Sequence, residues 1–220
     1  MSRMLYIVAT PIGNLKDITL RAIEVLKSVD MIACEDTRHT RILLLHYGIT
    51  TPTTSYFQHN KAVKGQYLLR LLKEGKSVAL VSDAGTPGIL DPGYHIINSA
   101  IKENIPLTVI PGPAAFVLGL VSSGKPAHKF VFCGFLPAKP LSRRRRLQEL
   151  RKLATTLVFY ESPHRIAATL ADIQEVFGDI DIALCRELTK KFEEVKRDKV
   201  SRLIAGFIQQ RPRGEFVVVI

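Results

Sequence analysis

Val81-Ser82-Asp83-Ala84-Gly85-Thr86-Pro87-Gly88-Ile89-Leu90-Asp91-Pro92-Gly93 continues the apolar run Ser77–Val81, and its reading decides the fold. A buried strand that empties into a long Gly/Pro turn leaves main-chain N–H and C=O groups open at its end. Gly permits φ > 0 and close backbone approach, and Pro fixes φ. Two shorter stretches have the same form, Tyr6-Ile7-Val8-Ala9-Thr10-Pro11-Ile12-Gly13-Asn14 and Thr108-Val109-Ile110-Pro111-Gly112-Pro113-Ala114-Ala115. In open α/β sheets ligands bind outside the carboxyl ends of the strands. Asp83 is placed to bond hydroxyls or an amine of a small polar cofactor. Any one of these turns is explained by chain reversal; three together, one of them long, point to a site.

Working outward, strand and helix alternate. Leu5–Ala9 reads as a buried strand, and Leu20, Ile23, Leu26 and Val29 mark a helix face with Thr19 as N-cap. Met31–Cys34 is a short strand and Thr37–Tyr47 a helix closed by Gly48. Asn60–Glu74 is a helix ended by Gly75, and Ser77–Val81 is the strand entering the long turn. Gly93–Glu103 (helix), Leu107–Ile110 (strand) and Ala114–Ser122 (helix) complete a first half whose alternation predicts a mostly parallel sheet. Ser123–His128 reads as a linker. Beyond it come strands Phe130–Phe135, Thr156–Tyr160, Ile182–Cys185 and Glu215–Ile220, and helices Leu141–Leu153, His164–Phe177 and Val200–Gln209. The expected division is an N-terminal α/β domain, 1–123, and a C-terminal α/β domain, 124–220.

The 220 residues carry 31 Lys and Arg against 20 Asp and Glu, a formal net charge of +11. Such an excess points to a polyanionic partner, nucleic acid first among them. No apolar run reaches the roughly 18 residues of a membrane-spanning helix, and no membrane partner is expected. The N-terminus, Met1-Ser2-Arg3-Met4-Leu5-Tyr6, reads as the start of a strand rather than a signal peptide. Cys34, Cys133 and Cys185 lie far apart in apolar stretches, the pattern of reduced core thiols in a cytoplasmic protein with no metal-ligand spacing. Gly119-Leu120-Val121-Ser122-Ser123-Gly124-Lys125 approaches a phosphate-binding P-loop. Pro126 stands where the Mg²⁺-binding hydroxyl belongs, and no Gly-x-Gly-x-x-Gly opens the first helix.

Seven motifs occur in order. Val8-Ala9-Thr10-Pro11-Ile12-Gly13-Asn14-Leu15, Cys34-Glu35-Asp36-Thr37-Arg38, Ser82-Asp83-Ala84-Gly85-Thr86-Pro87-Gly88 and Ile110-Pro111-Gly112-Pro113 fall in the first half. Phe159-Tyr160-Glu161-Ser162-Pro163-His164-Arg165, Arg186-Glu187-Leu188-Thr189-Lys190 and Arg213-Gly214-Glu215 fall in the second. Over essentially the whole chain this resembles the ribosomal RNA small subunit methyltransferase I family, of the tetrapyrrole-methylase-like (class III) S-adenosylmethionine enzymes. The resemblance implies two α/β domains of the tetrapyrrole methylase type, each with a mixed sheet flanked by helices, and an active cleft between them. It also implies a homodimer, and 2′-O-methylation of a cytidine ribose in the decoding region of 16S rRNA in the small ribosomal subunit.

Carried over by position, the resemblance places Pro11, Val81, Ser82, Asp83, Thr86, Ala114, Ala115 and Glu161 around S-adenosyl-L-methionine. The group often has Gly near the adenine where this chain has Arg197-Asp198, and the family usually continues past Glu215–Ile220 into a helical segment. On the residues alone Asp36 and Arg38 read as a solvated pair; the resemblance turns them towards substrate. Glu187 and Lys190 are either surface charges or face the methyl acceptor. Arg165 follows Glu161 and His164 after a strand end. Arg143, Arg144, Arg145 and Arg146 are the densest cationic cluster and fit RNA phosphate better than a solubilising helix, because backbone neutralisation dominates nucleic-acid affinity.

The chemistry asks for alignment of a nucleophile with an already electrophilic methyl group and for exclusion of water. A ribose hydroxyl is a weak nucleophile, so a general base is expected among Asp36, Glu161, Glu187 and, behind them, His164. No metal is expected. Two rivals stand beside this reading, a tetrapyrrole C-methyltransferase of the same fold and a non-catalytic ribosome- or RNA-binding protein.

Overall fold

The computed structural model describes residues 4–209 and 212–220. Met1–Arg3, which the sequence adds to the first strand, lie outside the described residues. The chain divides at Ala114/Ala115 into two compact units.

The first unit contains β1 (Met4–Val8), α1 (Leu20–Ser28), β2 (Met31–Cys34), α2 (Thr37–His46), β3 (Thr53–Ser55), α3 (Lys61–Lys73), β4 (Ser77–Val81), α4 (Gly93–Lys102) and β5 (Leu107–Ile110). Its sheet runs β3-β2-β4-β1-β5. The alternation of strand and helix predicts a mostly parallel sheet and the resemblance a mixed one; every described pairing is parallel. Helices cover both faces, so β4 is buried along its whole length. Its alternate residues feed two cores: Ala79 and Val81 meet Leu26, Leu43 and Leu44 from α1 and α2, whereas Val78 and Leu80 meet Leu68, Leu72 and Ile96 from α3 and α4. Thr19 caps α1 by accepting the Ala22 N–H at 3.2 Å. Leu20, expected on the inner face of that helix, is 80% exposed; Ala22 and Leu26 carry the burial instead.

The second unit contains α5 (Ala115–Ser123), β6 (Phe130–Phe135), α6 (Pro140–Arg151), β7 (Thr156–Glu161), α7 (Ile166–Phe177), β8 (Asp181–Arg186), β9 (Glu194–Lys199), α8 (Val200–Gln209) and β10 (Phe216–Val219). The sheet order is β6-β7-β10-β8-β9. It is mixed: β6 and β7 are parallel, and β10 enters antiparallel between β7 and β8. One face packs Leu157, Phe159, Leu184 and Val218 against α6, α7 and α8. The other packs Val158, Ala183, Val217 and Val219 beneath Leu120 of α5. The Tyr160 hydroxyl fixes the start of α5 by accepting the Phe116 N–H at 3.1 Å. That packing is why the division falls at Ala114/Ala115 rather than after Ser123: α5 follows the first sheet in sequence but buries its apolar side on the second.

Two strands escape the sequence, β3 and β9. Both lie at sheet edges. One has three residues and the other reads Glu-Val-Lys-Arg-Asp-Lys, so neither shows the apolar pattern of a buried strand. No helix among the described residues is long and apolar enough to cross a membrane.

Candidate functional site

The three Gly/Pro turns meet at the carboxyl ends of the neighbouring strands β4, β1 and β5. Thr10 and Gly85 exchange main-chain hydrogen bonds at 2.9 and 3.0 Å, and the Thr10 hydroxyl donates to the Ser82 carbonyl at 2.9 Å. A Cβ on Gly112 would sit 2.7 Å from that of Ala9, so only glycine lets the third turn press on the first. A Cβ on Gly85 would lie 3.8 Å from the Pro113 carbonyl oxygen. Pro11, Val81, Ser82, Asp83, Thr86 and Ala114 are thereby gathered on one locked set of loops. Ala115, next in the series, begins α5 in the second unit.

Asp83 ties this set to its neighbour: its Oδ1 accepts the Asp36 N–H at 3.1 Å. Its Oδ2 has no bonding partner among the described residues. The long turn is closed from within by Asp91, whose Oδ1 accepts the N–H groups of Gly88 at 2.6 Å and Gly93 at 2.9 Å. Burial raises the Asp91 carboxyl despite those bonds. Glu35 is raised by burial and then by the charges of Asp83 and Asp91. Glu35 and Asp91 are missing from the sequence-derived set although both stand inside quoted motifs. A carboxylate inside a Gly/Pro turn is the mark that would have found Asp91; Glu35 has no Gly or Pro beside it and comes close to Asp83 and Asp91 only through the fold.

The remaining candidates are held more tightly than a substrate contact or a free base would be. Asp36 is the N-cap of α2: its Oδ1 accepts the Arg38 N–H at 2.8 Å and its Oδ2 pairs with the Arg38 guanidinium at 3.2 Å. Those bonds from Arg38 hold its carboxyl below the usual aspartate range. The Arg38 side chain is 91% exposed, so it remains open to a partner.

Glu161 is 1% exposed. Its Oε1 accepts the Ser162 N–H at 2.8 Å, and its Oε2 accepts the Thr169 hydroxyl at 2.7 Å and meets the Arg165 guanidinium at 3.3 Å. Arg165 also donates to the Leu136 carbonyl at 2.6 Å. Both residues thus knit the β7–α7 junction to the end of β6. Glu161 has a partner on each carboxylate oxygen, and Arg165 donates to carbonyls of the β6 end. His164 makes no bond among the described residues.

Glu187 sits at φ 50° in the turn after β8, with Thr189 at φ 67°. Its Oε1 accepts the Glu215 N–H at 2.9 Å and the Lys190 ammonium at 2.9 Å; Lys190 also reaches Glu215 at 2.8 Å. Burial raises the Glu187 carboxyl, but the Glu215 N–H and Lys190 outweigh it and leave it below the ordinary glutamate value. A carboxylate so depressed is a poor base at neutral pH. The surroundings demand Gly214: at φ 83°, a Cβ there would come within 2.4 Å of Glu187 Cγ.

The four arginines of α6 have four different fates. Arg143 is 3% exposed, donating to Asp172 at 2.6 Å and to the Ala138 carbonyl at 3.2 Å. It is therefore a core residue and not an RNA contact, because the helix turns positions 143, 147 and 150 inward. Arg144 pairs with Asp172 at 3.1 Å and Glu175 at 3.4 Å, and Arg146 with Glu149 at 3.0 Å. Arg145 is exposed, with no bonding partner among the described residues. Arg197, in the place the group often gives to Gly, donates to the Ser122 carbonyl. No group of His, Cys, Asp and Glu suited to a metal ion occurs among the described residues.

Comparison with known proteins fits this geometry. Residues 4–204 match the Tetrapyrrole (Corrin/Porphyrin) Methylases family. Ribosomal RNA small subunit methyltransferase I of Halalkalibacterium halodurans is 48% identical over 216 residues, 98% of this chain and 75% of that protein. The protein of the same name from Thermotoga maritima is 47% identical over 98% of this chain and 97% of its own length. Among solved structures, uroporphyrin-III-C-methyltransferase from Thermus thermophilus is 24% identical, with a TM-score of 0.66 over 98% of this chain and 93% of that one. Diphthine synthase is 14% identical, with a TM-score of 0.74 over 99% and 88%. At these identities the two structures establish the fold. The locked turns and the two sheets are those of a tetrapyrrole methylase, and the chain belongs to the ribosomal RNA small subunit methyltransferase I family.

Proposed function

We propose that the protein transfers a methyl group from S-adenosyl-L-methionine to the 2′-hydroxyl of a cytidine ribose in the decoding region of 16S rRNA. The observation that carries this reading is the locked set of turns in a chain of this family. The donor set there fits the cofactor. Asp83 keeps a free carboxylate oxygen for a ribose hydroxyl or an amine, and Ser82, Thr86 and the turn backbone add polar edges beside the apolar Pro11, Val81, Ala114 and Ala115. When bound, the cofactor supplies an electrophilic methyl on sulfur.

The protein's own residues supply position and charge. Asp83 fixes the cofactor-side loops to α2 through the Asp36 N–H; Arg145 offers an unengaged guanidinium to phosphate, and Arg38, paired with Asp36 on one side, offers an exposed one. Asp36, Glu161 and Glu187 each accept bonds that stabilise the charged form or fill the oxygen. The reaction accordingly runs on alignment and water exclusion rather than on a strong base. We further propose a cytoplasmic homodimer; three free cysteines suit the compartment, and sedimentation tests the dimer. The function is tested by labelled-methyl transfer to small subunits from a strain lacking the enzyme, with the modified nucleotide mapped by mass spectrometry. A labelled 2′-O-methylcytidine in the decoding region is expected; label in protein, or none in RNA, overturns the reading.

A further inference from the structure

Two cavities of about 490 Å³ each open on the second unit, and their charges are arranged in opposite ways. The first is lined by Arg186, Lys196, Arg197 and Arg202 together with Glu194 and Asp198. Its cations are largely matched: Arg186 and Lys196 meet Glu194 at 3.4 and 3.1 Å, and Arg202 meets Asp198 at 3.4 Å. The second lies at the carboxyl end of α6 and is lined by Lys125, His128, Lys129 and Arg151 with no acidic side chain. None of these four pairs with a carboxylate among the described residues. Lys125 donates to the Asp181 carbonyl at 2.7 Å and Arg151 to the Val176 carbonyl at 2.6 Å, bonds that aim the side chains without neutralising them. The side chains of His128 and Lys129 are exposed and have no bonding partner among the described residues.

The site is also preorganised. The Thr155 hydroxyl donates to the Lys129 carbonyl and the Thr156 hydroxyl to the Pro126 carbonyl, each at 2.8 Å. Phe130 is paired with Thr156 in the sheet. The segment bearing His128 and Lys129 is therefore pinned to the start of β7. Leu150, Leu157 and Phe177 give the cavity an apolar floor. Lys152, exposed at the end of α6, follows Arg145 by seven residues, two helical turns, and so lies on the same face. The carboxyl end of α6 carries about half a negative charge from its dipole, which the cations of the rim exceed.

We propose that this cavity binds the phosphate backbone of the substrate RNA, with Lys129, Lys125 and Arg151 as contacts and Arg145 and Lys152 extending the track along α6. The proposal rests on the reading of the protein as an RNA methyltransferase and adds where the strand is held. The test follows binding of a fluorescent single-stranded RNA of the 16S decoding region between about 50 and 200 mM salt. Each lost phosphate contact on single-stranded RNA lowers the slope of log K against log salt by about 0.7, equivalent to about fivefold weaker binding at 0.1 M salt. Lys129→Ala is expected to show that loss and Lys129→Ala/Arg151→Ala about twice the change in slope. Arg202→Ala, in the charge-matched cavity, should keep the wild-type slope. S-adenosylmethionine affinity by calorimetry should be unchanged in all three, which reports intact folding. A wild-type slope in Lys129→Ala with normal cofactor affinity overturns the proposal. If the wild type binds RNA with the Lys129-dependent slope but transfers no methyl group to it, the functional reading fails and the cavity assignment stands.

Discussion

Asp83 in the first unit follows a buried strand and Glu161 in the second ends one, yet Asp83 keeps one carboxylate oxygen free and Glu161 keeps neither. The same contrast separates their neighbourhoods. In the first unit, main-chain bonds and close glycine packing lock the turns, and polar side chains are left over. In the second, Glu161 with Arg165, Glu187 with Lys190, and Arg143 with Asp172 spend their charges on one another. A charged residue in a motif is thus as often a brace as a reagent. What decides is whether its donors and acceptors are already satisfied, since a buried group left without partners costs about 1–3 kcal/mol.

The contrast breaks most visibly at two neighbouring arginines. Arg143→Ala should destabilise the protein by about 1–3 kcal/mol or more, because it strips one of two arginine partners from buried Asp172 and leaves Arg144 alone to hold it. Arg145→Ala should stay within about 0.5 kcal/mol of wild type in urea unfolding and weaken RNA binding instead. Equal stability losses would mean that burial does not separate them. Gly214→Ala should cost at least about 2 kcal/mol, combining a left-handed backbone with contact on Glu187; thermal melting checks this. Asp83→Asn keeps an acceptor for the Asp36 N–H but removes the free charge. Calorimetry should show cofactor affinity falling by roughly tenfold to a hundredfold. The smallest effect is expected at Glu187→Gln. Turnover should fall less than about tenfold, against the 10²–10⁴ typical of a lost general base.

The pH dependence of Glu187 gives that last comparison a second reading. Its folded value is depressed below the usual 4.5. The unfolded chain therefore binds the proton first as pH falls, so the stabilising contribution is fully present above about pH 4.5 and lost as pH drops through the folded value. The stability gap between wild type and Glu187→Gln should accordingly shrink below about pH 4 in acid unfolding. A gap that widens with acid would contradict the assigned bonds to Lys190 and the Glu215 N–H.

Much of this was legible in the residues. Apolar runs ending at Ala9, Val81 and Ile110 marked three strands of the first sheet and the turns that lock together beyond them. Thr19 and Gly48 marked helix ends through local chemistry. What escaped depends on partners distant in sequence. Strand β10 is inserted antiparallel between β7 and β8, and nothing local announces that. Helix α5 follows β5 in the chain but packs under β10 and β8. Arg143 and Arg145 are the same residue two positions apart, and only the direction of Leu147 and Leu150 separates core from surface. Nothing in the residues around Glu161 announces that Thr169 and Arg165 bond its carboxylate.

The central claim is ribose methylation supported by alignment, and a single atom tests it. Small subunits are reconstituted with 16S rRNA carrying deoxycytidine, lacking only the 2′-hydroxyl, at the nucleotide mapped as the target. Transfer of labelled methyl from S-adenosylmethionine is then compared with that to the ribo form. The account predicts full transfer to the ribo substrate and none to the deoxy substrate, with both RNAs bound equally. Efficient methylation of the deoxy substrate would contradict it.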